Sequence, residues 1–351
     1  MKTDLRNLAF PDIEELLIKI SEPKYRTQQI FQWIHQKGIS SLEEMSNLSK
    51  ELRHKLAGKH FINQLKALDI QEDTEGTKKY LWELNDGQRI ESVLLDDEGR
   101  RTICLSTQVG CKMDCLFCAT GKQKFKRNLT TGEIISQVLQ IEKENGSISN
   151  LVYMGMGEPL DNYDNVLKSI KILNHPQGKN ISMRKITIST CGLVPQIEKL
   201  AQEKLSINLA ISLNASIDQV RSKIMPINQK YNLDKLLAAL RNYIEATGRR
   251  VTFEYVLIEG KNDSRQDARG IVKLLRGVKA NINLIAFNPF SGSNLHAPTN
   301  KAIKDFRWVL EDAGLEVTQR YKRGQNINAA CGQLTGKYNF SHQDKKDLNE
   351  K

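Results

Sequence analysis

The strongest constraint on the fold is an alternation of predicted strands and helices that begins at residue 102. Short runs of apolar and β-branched residues predict strands, and most are followed by a stretch with the apolar spacing of a helix. The predicted strands span residues 102–106, 151–154, 185–189, 208–212, 251–257 and 281–287. This alternation is typical of parallel β/α units that close fully or partly into a barrel. We therefore expect functional residues at the C-terminal ends of these strands, where the sites of such barrels lie.

Helical spacing fills the intervals between the strands. The predicted helices span residues 131–144, 165–174, 194–203, 233–246 and 301–313, and a last strand spans 315–320. Thr130 and Glu133 predict a capping box at the start of the first of these helices. The predicted fold class is therefore α/β, with six β/α units in the barrel.

The first hundred residues have a different character. Short amphipathic stretches before residue 66 are typical of helices, and residues 66–100 alternate like strands around a hairpin signal at Asn85, Asp86 and Gly87. The predicted segments are 1–65, a small helical RNA-binding accessory domain; 66–100, a short β-hairpin extension or linker; 101–337, the catalytic barrel; and 338–351, a polar, mobile tail. The basic residues of the first segment suit either an RNA-binding face or an ordinary solvated face.

Composition narrows the class of protein. A chain of 351 residues with 39% hydrophobic residues can bury an ample core, and it lacks the run of eighteen apolar residues that a membrane span requires. The six cysteines without an export signal indicate a reducing, cytoplasmic environment. The formal net charge of +11 favours a polyanionic partner such as RNA.

Cys111, Cys115 and Cys118 form a C-x3-C-x2-C triplet directly after the first predicted barrel strand. Three thiolates can hold three irons of a 4Fe-4S cluster and leave the fourth iron open, whereas most electron-carrier clusters use four cysteines. An open iron is suited to S-adenosylmethionine, whose reductive cleavage yields a deoxyadenosyl radical that no side chain can supply. The triplet therefore favours a radical enzyme.

Two other interpretations of the triplet remain open. Structural zinc usually takes four ligands, and Cys104, seven residues before Cys111, is a possible fourth thiol at a poor spacing. The same thiol would close a four-cysteine cluster. Structural disulfides are not expected in a chain without an export signal.

Several further segments share the motifs of one family. They are STQVG at 106–110, MGMGEPL at 154–160, MPIN at 225–228, NPF at 288–290 and NAACGQL at 328–334. With the triplet, they make the chain resemble the RlmN/Cfr family of radical S-adenosylmethionine RNA methyltransferases, over residues 6–336. The resemblance implies a partial (β/α)6 radical-SAM barrel with two cofactors, a 4Fe-4S cluster and S-adenosylmethionine.

The resemblance also implies a substrate. RlmN enzymes methylate carbon 2 of one adenine at the peptidyl transferase centre of 23S rRNA, and the adenine just 3′ of the anticodon in some tRNAs. Cfr enzymes methylate carbon 8 of the same ribosomal adenine. Pro159 and Val109 resemble the RlmN form, because Cfr proteins tend to carry alanine and cysteine at these positions. Carbon 2 is therefore predicted, and carbon 8 is the alternative.

Three catalytic residues follow from the resemblance. Cys331 matches the cysteine that first accepts a methyl group and then carries it, as a radical, onto the adenine. Cys104 matches the resolving cysteine, which forms a disulfide with Cys331 and releases the RNA. Glu91 matches the residue proposed to accept the proton from carbon 2. Without the resemblance, Cys331 and Cys104 are equally well read as structural thiols and Glu91 as an exposed strand residue. Cys191 has no family role and is predicted to be a core thiol.

The remaining predicted site residues contact S-adenosylmethionine. By position in the family they are Gly157, Glu158, Ser189, Ser212, Leu213, Asn214 and Asn288. The loop at 155–158 lacks the third glycine of a dinucleotide fingerprint, which disfavours a Rossmann site. Many family members have histidine where Asn214 stands, but asparagine still offers a donor and an acceptor.

Partners are predicted from charge and from the resemblance. Two basic runs with one aromatic residue each, at 122–127 and 320–323, flank the reactive loops and suit phosphate contact and base stacking, or an ordinary solvated surface. The resemblance implies 23S rRNA and tRNA as substrates and an electron donor such as flavodoxin or ferredoxin. A cytoplasmic monomer without membrane association is expected. The rival classes are a radical enzyme with a non-RNA substrate and a non-catalytic RNA-binding protein with structural zinc.

Overall fold

A computed structural model describes residues 2–97, 99–320 and 323–337 of the chain. The predicted tail from residue 338 and two residues of the second basic run, Tyr321 and Lys322, lie outside the described residues. None of the described helices is long and apolar enough to cross a lipid bilayer.

The first 61 residues form a small, mainly helical unit, as the apolar spacing predicts. Its elements are β1 (Thr3–Asp4), α1 (Phe10–Lys19), α2 (Arg26–Phe31), α3 (Lys50–Lys59) and β2 (His60–Phe61). The Asp12 side chain accepts the Ala9 amide at 2.8 Å at the start of α1, and Ser49 caps α3 by accepting the Leu52 amide at 3.2 Å. A π-helical stretch, Gln32–Gln36, continues α2.

Three antiparallel strands follow and build one side of the main sheet. They are β3 (Lys66–Glu72), β4 (Lys78–Glu83) and β5 (Arg89–Asp97). The predicted hairpin signal around Gly87 joins β4 and β5, and Gly87 has φ of +77°, which glycine adopts readily. Because β5 also pairs antiparallel with the first barrel strand, this extension continues the barrel sheet.

The rest of the chain alternates between parallel strands and helices, as predicted. The strands and helices are β6 (Arg100–Cys104), β7 (Gln108–Val109), β8 (Arg127–Asn128), α4 (Thr131–Asn145), β9 (Asn150–Tyr153), α5 (Tyr163–Asn174), β10 (Ile186–Thr190), α6 (Val194–Gln202), β11 (Asn208–Ser212), α7 (Asp218–Ile224), α8 (Leu233–Thr247), β12 (Val251–Leu257), α9 (Arg265–Leu274), β13 (Ala280–Ala286), α10 (Asn300–Asp312) and β14 (Val317–Gln319). The predicted capping box is present, with the Thr130 hydroxyl accepting the Glu133 amide at 3.2 Å and the Glu133 carboxylate accepting the Thr130 amide at 2.8 Å.

In the described part of the chain, the main sheet has ten strands in the order β14-β13-β12-β11-β10-β9-β6-β5-β4-β3. Within this sheet, β6 and the strands from β9 to β14 run parallel to one another, so their C-terminal ends meet at one rim. The short strands β7 and β8 pair antiparallel with each other in a separate sheet. This arrangement confirms the predicted α/β fold, a partial barrel with an N-terminal helical unit and a β extension. The predicted domain boundaries remain predictions.

Side-chain alternation separates the core from the barrel interior. In β10, Ile186 and Ile188 are buried in the main hydrophobic core, whereas Ser189, on the opposite face, lines a cavity together with Thr190 at the end of the strand. Polar residues that interrupt the apolar strands therefore face the interior, where a ligand can reach them.

Candidate active site

The predicted cysteine triplet lies in the loop after β7. Cys115 is buried, and all three cysteines line a cavity of about 150 Å³ near the C-terminal ends of the strands. The loop is tied to the rest of the site by backbone hydrogen bonds from Leu116 to Ile224 at 2.9 Å and from Ala119 to Gly332 at 2.7 Å. The loop is thus held rigidly at the rim where barrel sites form.

Burial makes these three thiols hard to ionise. Loss of hydration raises the pKa of Cys111 to about 12, raises that of Cys118, and raises that of Cys115 well above its usual value. Thiolates at these positions therefore require a compensating cation, as a metal cluster provides. None of the described residues forms a compact group of three metal-ligating side chains of the kind that holds a single ion.

The loop after β9 brings Glu158 into the same cavity. The carboxylate of Glu158 is 4% exposed and accepts the backbone amides of Leu160 at 3.0 Å and Cys191 at 2.8 Å. Burial raises the pKa of Glu158, while these amides oppose the shift. The carboxylate therefore bridges the loops that follow β9 and β10.

The other predicted cofactor contacts differ in where they lie. Gly157, Ser189, Ser212 and Asn288 line the small cavity with Glu158. Leu213 and Asn214 are fully buried behind it and do not appear among the described lining residues.

The Asn214 side chain contacts other residues of the protein. Its side-chain oxygen accepts the Val256 amide at 2.7 Å, and its amide nitrogen lies 3.2 Å from the Met225 sulfur. Asn214 has φ of +58°, a conformation that asparagine tolerates better than most residues. Asparagine in place of histidine therefore joins the loop after β11 to β12.

Glu254 is a cavity residue that the sequence analysis missed. It lies in β12 with 5% exposure, lines the small cavity and accepts the Asn283 side-chain amide at 3.1 Å on Oε1. Its Oε2 has no hydrogen-bond partner among the described residues. A charged residue inside the apolar run VTFEYVL was the signal for it.

A second cavity, of about 430 Å³, lies inside the barrel and contains both Cys331 and Cys104. The two cavities share Cys118, Met154, Asn288, Arg320 and Cys331 among their lining residues, so they adjoin. The triplet loop, the predicted cofactor contacts and the two reactive-cysteine candidates therefore form one continuous site.

Cys331 is exposed and has a cationic neighbour. The guanidinium Nη1 of Arg320 lies 3.3 Å from Cys331 Sγ and 3.6 Å from Met154 Sδ. The Cys331 thiol is the main cause that raises the pKa of Arg320, despite burial. The guanidinium is therefore placed to donate a hydrogen bond to the Cys331 sulfur.

Cys104 ends β6 and differs chemically from Cys331. Burial, followed by the Cys331 thiol, raises the pKa of Cys104 to about 12. Both cysteines are free thiols in this structure, so the predicted disulfide between them remains a prediction. Cys191 is a buried thiol, as predicted, and it also lines the small cavity.

Glu91 does not lie on the surface, contrary to its reading as an ordinary exposed strand residue. It is 1% exposed, and it does not appear among the described lining residues of either cavity. Its Oε2 accepts the backbone amides of Thr335 at 2.5 Å and Gly336 at 2.8 Å, and its Oε1 lies 3.2 Å from Lys79 Nζ. Burial follows because β5 turns this residue toward the barrel interior.

The first basic run contains two kinds of side chain. Lys122, Lys124 and Lys126 are exposed, whereas Arg127 pairs with Asp86 at 2.6 Å and with Glu133 at 2.9 Å. The hydrogen bond to Glu133 is the main cause that raises the pKa of Arg127. Arg127 is therefore held by two carboxylates, whereas the lysines are exposed to a polyanion, although Lys122 Nζ also lies 3.4 Å from Asp114 Oδ1.

Comparison with known proteins defines the class of this site. Residues 105–275 match the Radical SAM superfamily, and residues 3–62 match the ribosomal RNA large subunit methyltransferase N-terminal domain. The solved structure of a radical SAM methyltransferase from Sphaerobacter thermophilus superimposes with a TM-score of 0.92 at 41% identity, covering 95% of this chain and 100% of that one. The fold and the triplet are those of a radical S-adenosylmethionine enzyme.

Curated relatives narrow the class. The dual-specificity RNA methyltransferase RlmN of Pelobacter propionicus is 45% identical and covers 97% of this chain and 98% of its own. That of Syntrophotalea carbinolica is 46% identical, over 97% of this chain and 91% of its own. The chain belongs to the RlmN family of radical S-adenosylmethionine methyltransferases.

The cofactors of this family, a 4Fe-4S cluster and S-adenosylmethionine, fit the small cavity. Its three cysteines need a cation to ionise, and the unpartnered Oε2 of Glu254 needs a hydrogen-bond donor. An amino acid and a ribose both supply such donors. The 4Fe-4S cluster therefore replaces structural zinc, the alternative ligand that the sequence left open for the cysteine triplet.

Proposed function

We propose that this protein methylates carbon 2 of adenine in 23S rRNA, at the peptidyl transferase centre, and of the adenine 3′ of the anticodon in tRNA. The observation that carries the proposal is the pairing of Cys331 with Arg320 in a cavity that also contains Cys104 and adjoins the cofactor pocket. A non-RNA substrate would give no reason for two free cysteines in one cavity. Dual-specificity RNA methyltransferases among the relatives support the same substrates.

Cys331 is the proposed carrier of the methyl group. Its sulfur accepts the methyl, and Arg320 stabilises the thiolate that attacks. The cluster and S-adenosylmethionine, when bound, supply the methyl group and the radical that activates it. The activated carbon on Cys331 then bonds to carbon 2 of the adenine, which joins protein and RNA covalently and leaves one unpaired electron on the adduct. When the carbon 2 proton is lost, one electron must also leave, and it would return to the cluster that donated an electron to S-adenosylmethionine.

Cys104 is the proposed release group. Its thiolate attacks the Cys331 sulfur, so that a sulfur–sulfur bond forms and the sulfur–carbon bond breaks. The electron pair of the broken bond goes to the carbon on the RNA, which takes a proton and becomes the methyl group. Glu91 is the proposed acceptor of the original carbon 2 proton, whose loss restores the aromatic ring.

The cofactor contacts are proposed to be Gly157, Glu158, Ser189, Ser212 and Asn288 around the small cavity, with Leu213 and Asn214 supporting them from behind. The ligands of the cluster are Cys111, Cys115 and Cys118. Pro159 and Val109 support the RlmN-type product over methylation of carbon 8.

The partners are proposed on the same basis. The exposed lysines at 122, 124 and 126 bind RNA phosphates, and a small acidic electron carrier such as flavodoxin or ferredoxin reduces the cluster. We propose that the enzyme acts as a monomer in the cytoplasm, where ribosomal RNA and tRNA are found.

The decisive experiment is anaerobic product analysis. The protein with reconstituted cluster is given reductant, S-adenosylmethionine and a 23S rRNA fragment or a tRNA, and methylated adenosines are identified by mass spectrometry against standards. We expect 2-methyladenosine from wild type and a covalent protein–RNA adduct from Cys104→Ala. Formation of 8-methyladenosine would make this a Cfr-type enzyme, and deoxyadenosine without methylated RNA would require another substrate.

A further inference from the structure

Lys79 is a buried cation that none of the predicted roles uses. It lies in β4 with a side chain 2% exposed, and its Nζ lies 3.2 Å from Oε1 of Glu91, whose side chain is 1% exposed. Neither of these two atoms makes a well-aligned hydrogen bond among the described residues. Burying an ammonium group is unfavourable unless an opposite charge compensates it, so the burial of Lys79 depends on Glu91.

Strand register explains why the pair meets next to the reactive site. In the sheet, Lys79 pairs with Val93 and Leu81 pairs with Glu91, which makes Lys79 and Glu91 diagonal neighbours on one face. Val93 also pairs with Cys104 on β6, and both of these residues line the large cavity. The pair therefore lies on the interior face of the sheet, two residues along β5 from the cavity wall.

The two oxygens of Glu91 have different partners. Oε1 faces Lys79, and Oε2 accepts the amides of Thr335 and Gly336, which follow Cys331 by four and five residues. The carboxylate is therefore oriented from one side by a cation and from the other by the loop that carries Cys331.

The remaining contacts of Glu91 are uncharged. Its amide lies 3.3 Å from the Met156 sulfur, and its carbonyl accepts the Ser106 hydroxyl at 2.5 Å. A deeply buried carboxyl group needs a charged or strongly polar partner to hold it in one orientation. Among the described contacts of the Glu91 side chain, the charged partner is Lys79.

We propose that Lys79 is a positioning residue for proton transfer, and that its ion pair with Glu91 orients the carboxyl group toward the loop of Cys331. The inference rests on the proposed role of Glu91 as the proton acceptor. In that step the carbon 2–hydrogen bond of the radical adduct breaks, the proton passes to the Glu91 carboxylate, and the one surplus electron of the ring would return to the cluster.

The test compares Lys79→Met, which removes the charge, with Lys79→Arg, which keeps it. We expect Lys79→Met to lower formation of 2-methyladenosine on the order of a hundredfold, the usual contribution of a general base. Cluster content, methylation of Cys331 and deoxyadenosine formation should stay near wild type. Lys79→Arg should recover most of the lost rate.

An isotope effect separates this role from a structural one. With RNA deuterated at carbon 2 of the target adenine, Lys79→Met should show a larger isotope effect on product formation than wild type, because proton removal becomes slower. The control is Lys179→Met, which removes another little-exposed ion pair, that with Glu142. This control should leave both the rate and the isotope effect unchanged.

A double variant keeps the test decisive if Lys79→Met folds poorly. Lys79→Met with Glu91→Gln carries no buried charge at the pair, and it should be as slow as Glu91→Gln alone, because Lys79 acts through Glu91. A wild-type rate for Lys79→Met, an equal loss in Lys79→Arg, or a further loss in the double variant would overturn the inference. A wild-type rate for Glu91→Gln would instead overturn the proposed role of Glu91.

Discussion

At the scale of single residues, the site depends on how differently two cysteines are placed. Cys331 is exposed and receives a hydrogen bond from the Arg320 guanidinium at 3.3 Å. Cys104 lines the same cavity, but burial raises its pKa to about 12. This difference supports the proposed order, in which Cys331 is the first nucleophile and Cys104 reacts later.

Replacement of Arg320 should change the reactivity of Cys331 but not that of Cys104. We expect Arg320→Met to slow alkylation of Cys331 by iodoacetamide about tenfold at pH 8, because the thiolate loses a charged hydrogen-bond donor. Cys104 should react slowly in wild type and variant alike and provides an internal reference. The measurement is time-resolved peptide mass spectrometry of the native protein.

Arg323→Met is the matched control for this prediction. Arg323 lines the large cavity but pairs with Asp97 at 3.0 Å. If alkylation of Cys331 slows equally in both variants, the positive charge of the cavity as a whole controls its reactivity. That result would contradict the role assigned to the contact between Arg320 and Cys331.

At the scale of elements, the loop after β9 is shaped by two glycines. A Cβ atom on Gly155 would approach the Leu105 carbonyl to 2.7 Å, and one on Gly157 would approach the Gln108 Cβ to 2.5 Å. Gly157 also has φ of +98°, which most residues avoid. The loop can therefore pack against the segment after β6 only with glycine at these positions.

Gly157→Ala should displace this loop and weaken the cofactor site. We expect deoxyadenosine formation to fall on the order of a hundredfold, since a shift of about 1 Å has that effect in active sites. Equilibrium dialysis with S-adenosylmethionine would show whether binding is lost first.

Gly248→Ala is the control that separates a steric clash of the added Cβ from the strain of a positive φ. Gly248 follows α8 with φ of +68°, and no atom lies within 4 Å of the added Cβ. This variant should lose about 1 kcal/mol of stability and keep cofactor binding. Equal losses of binding in both variants would contradict the crowding argument.

At the scale of the whole molecule, Arg6 fastens the N-terminal unit to the barrel. Its fully buried guanidinium donates to Ser136 in α4 at 2.7 Å, to the Ile39 carbonyl at 2.9 Å and to the Asn63 carbonyl. Burial lowers the pKa of Arg6 to about 10. One side chain therefore joins the segment before α1, the segment before β3 and the first barrel helix.

Arg6→Met should loosen this junction. We expect the free energy of unfolding to fall by about 3–5 kcal/mol, because buried acceptors lose a charged partner. The measurements are urea unfolding and limited proteolysis, in which the N-terminal unit should be cut before the barrel. Arg26→Met is the control, because Arg26 bonds Gln29 and the Asn47 carbonyl within the N-terminal unit and should change stability little. Equal loss in the control would contradict the assigned role of Arg6.

The predicted fold is confirmed because each strand and helix of the barrel can be recognised from the apolar spacing of its own residues. The strand and helix bounds differ from the predictions by a few residues at most, as with α5, which begins at Tyr163 instead of residue 165. The burial of Glu91 and Glu254 could not be predicted from the local sequence pattern. Their burial depends on which face of a strand turns inward, and that is set by pairing with distant strands.

The sequence by itself determined the α/β class, the triplet of Cys111, Cys115 and Cys118, and the family, because these depend on local periodicity and on motifs of fixed spacing. Only the tertiary structure decided that Lys79 compensates Glu91, that Arg320 contacts Cys331, and that both cysteine loops meet in adjoining cavities. Lys79 and Glu91 lie on the two strands of one hairpin, and Arg320 and Cys331 lie eleven residues apart, so these contacts depend on strand register and loop conformation and not on a motif. Side-chain charge and burial there follow from strand order and register, which no short segment contains.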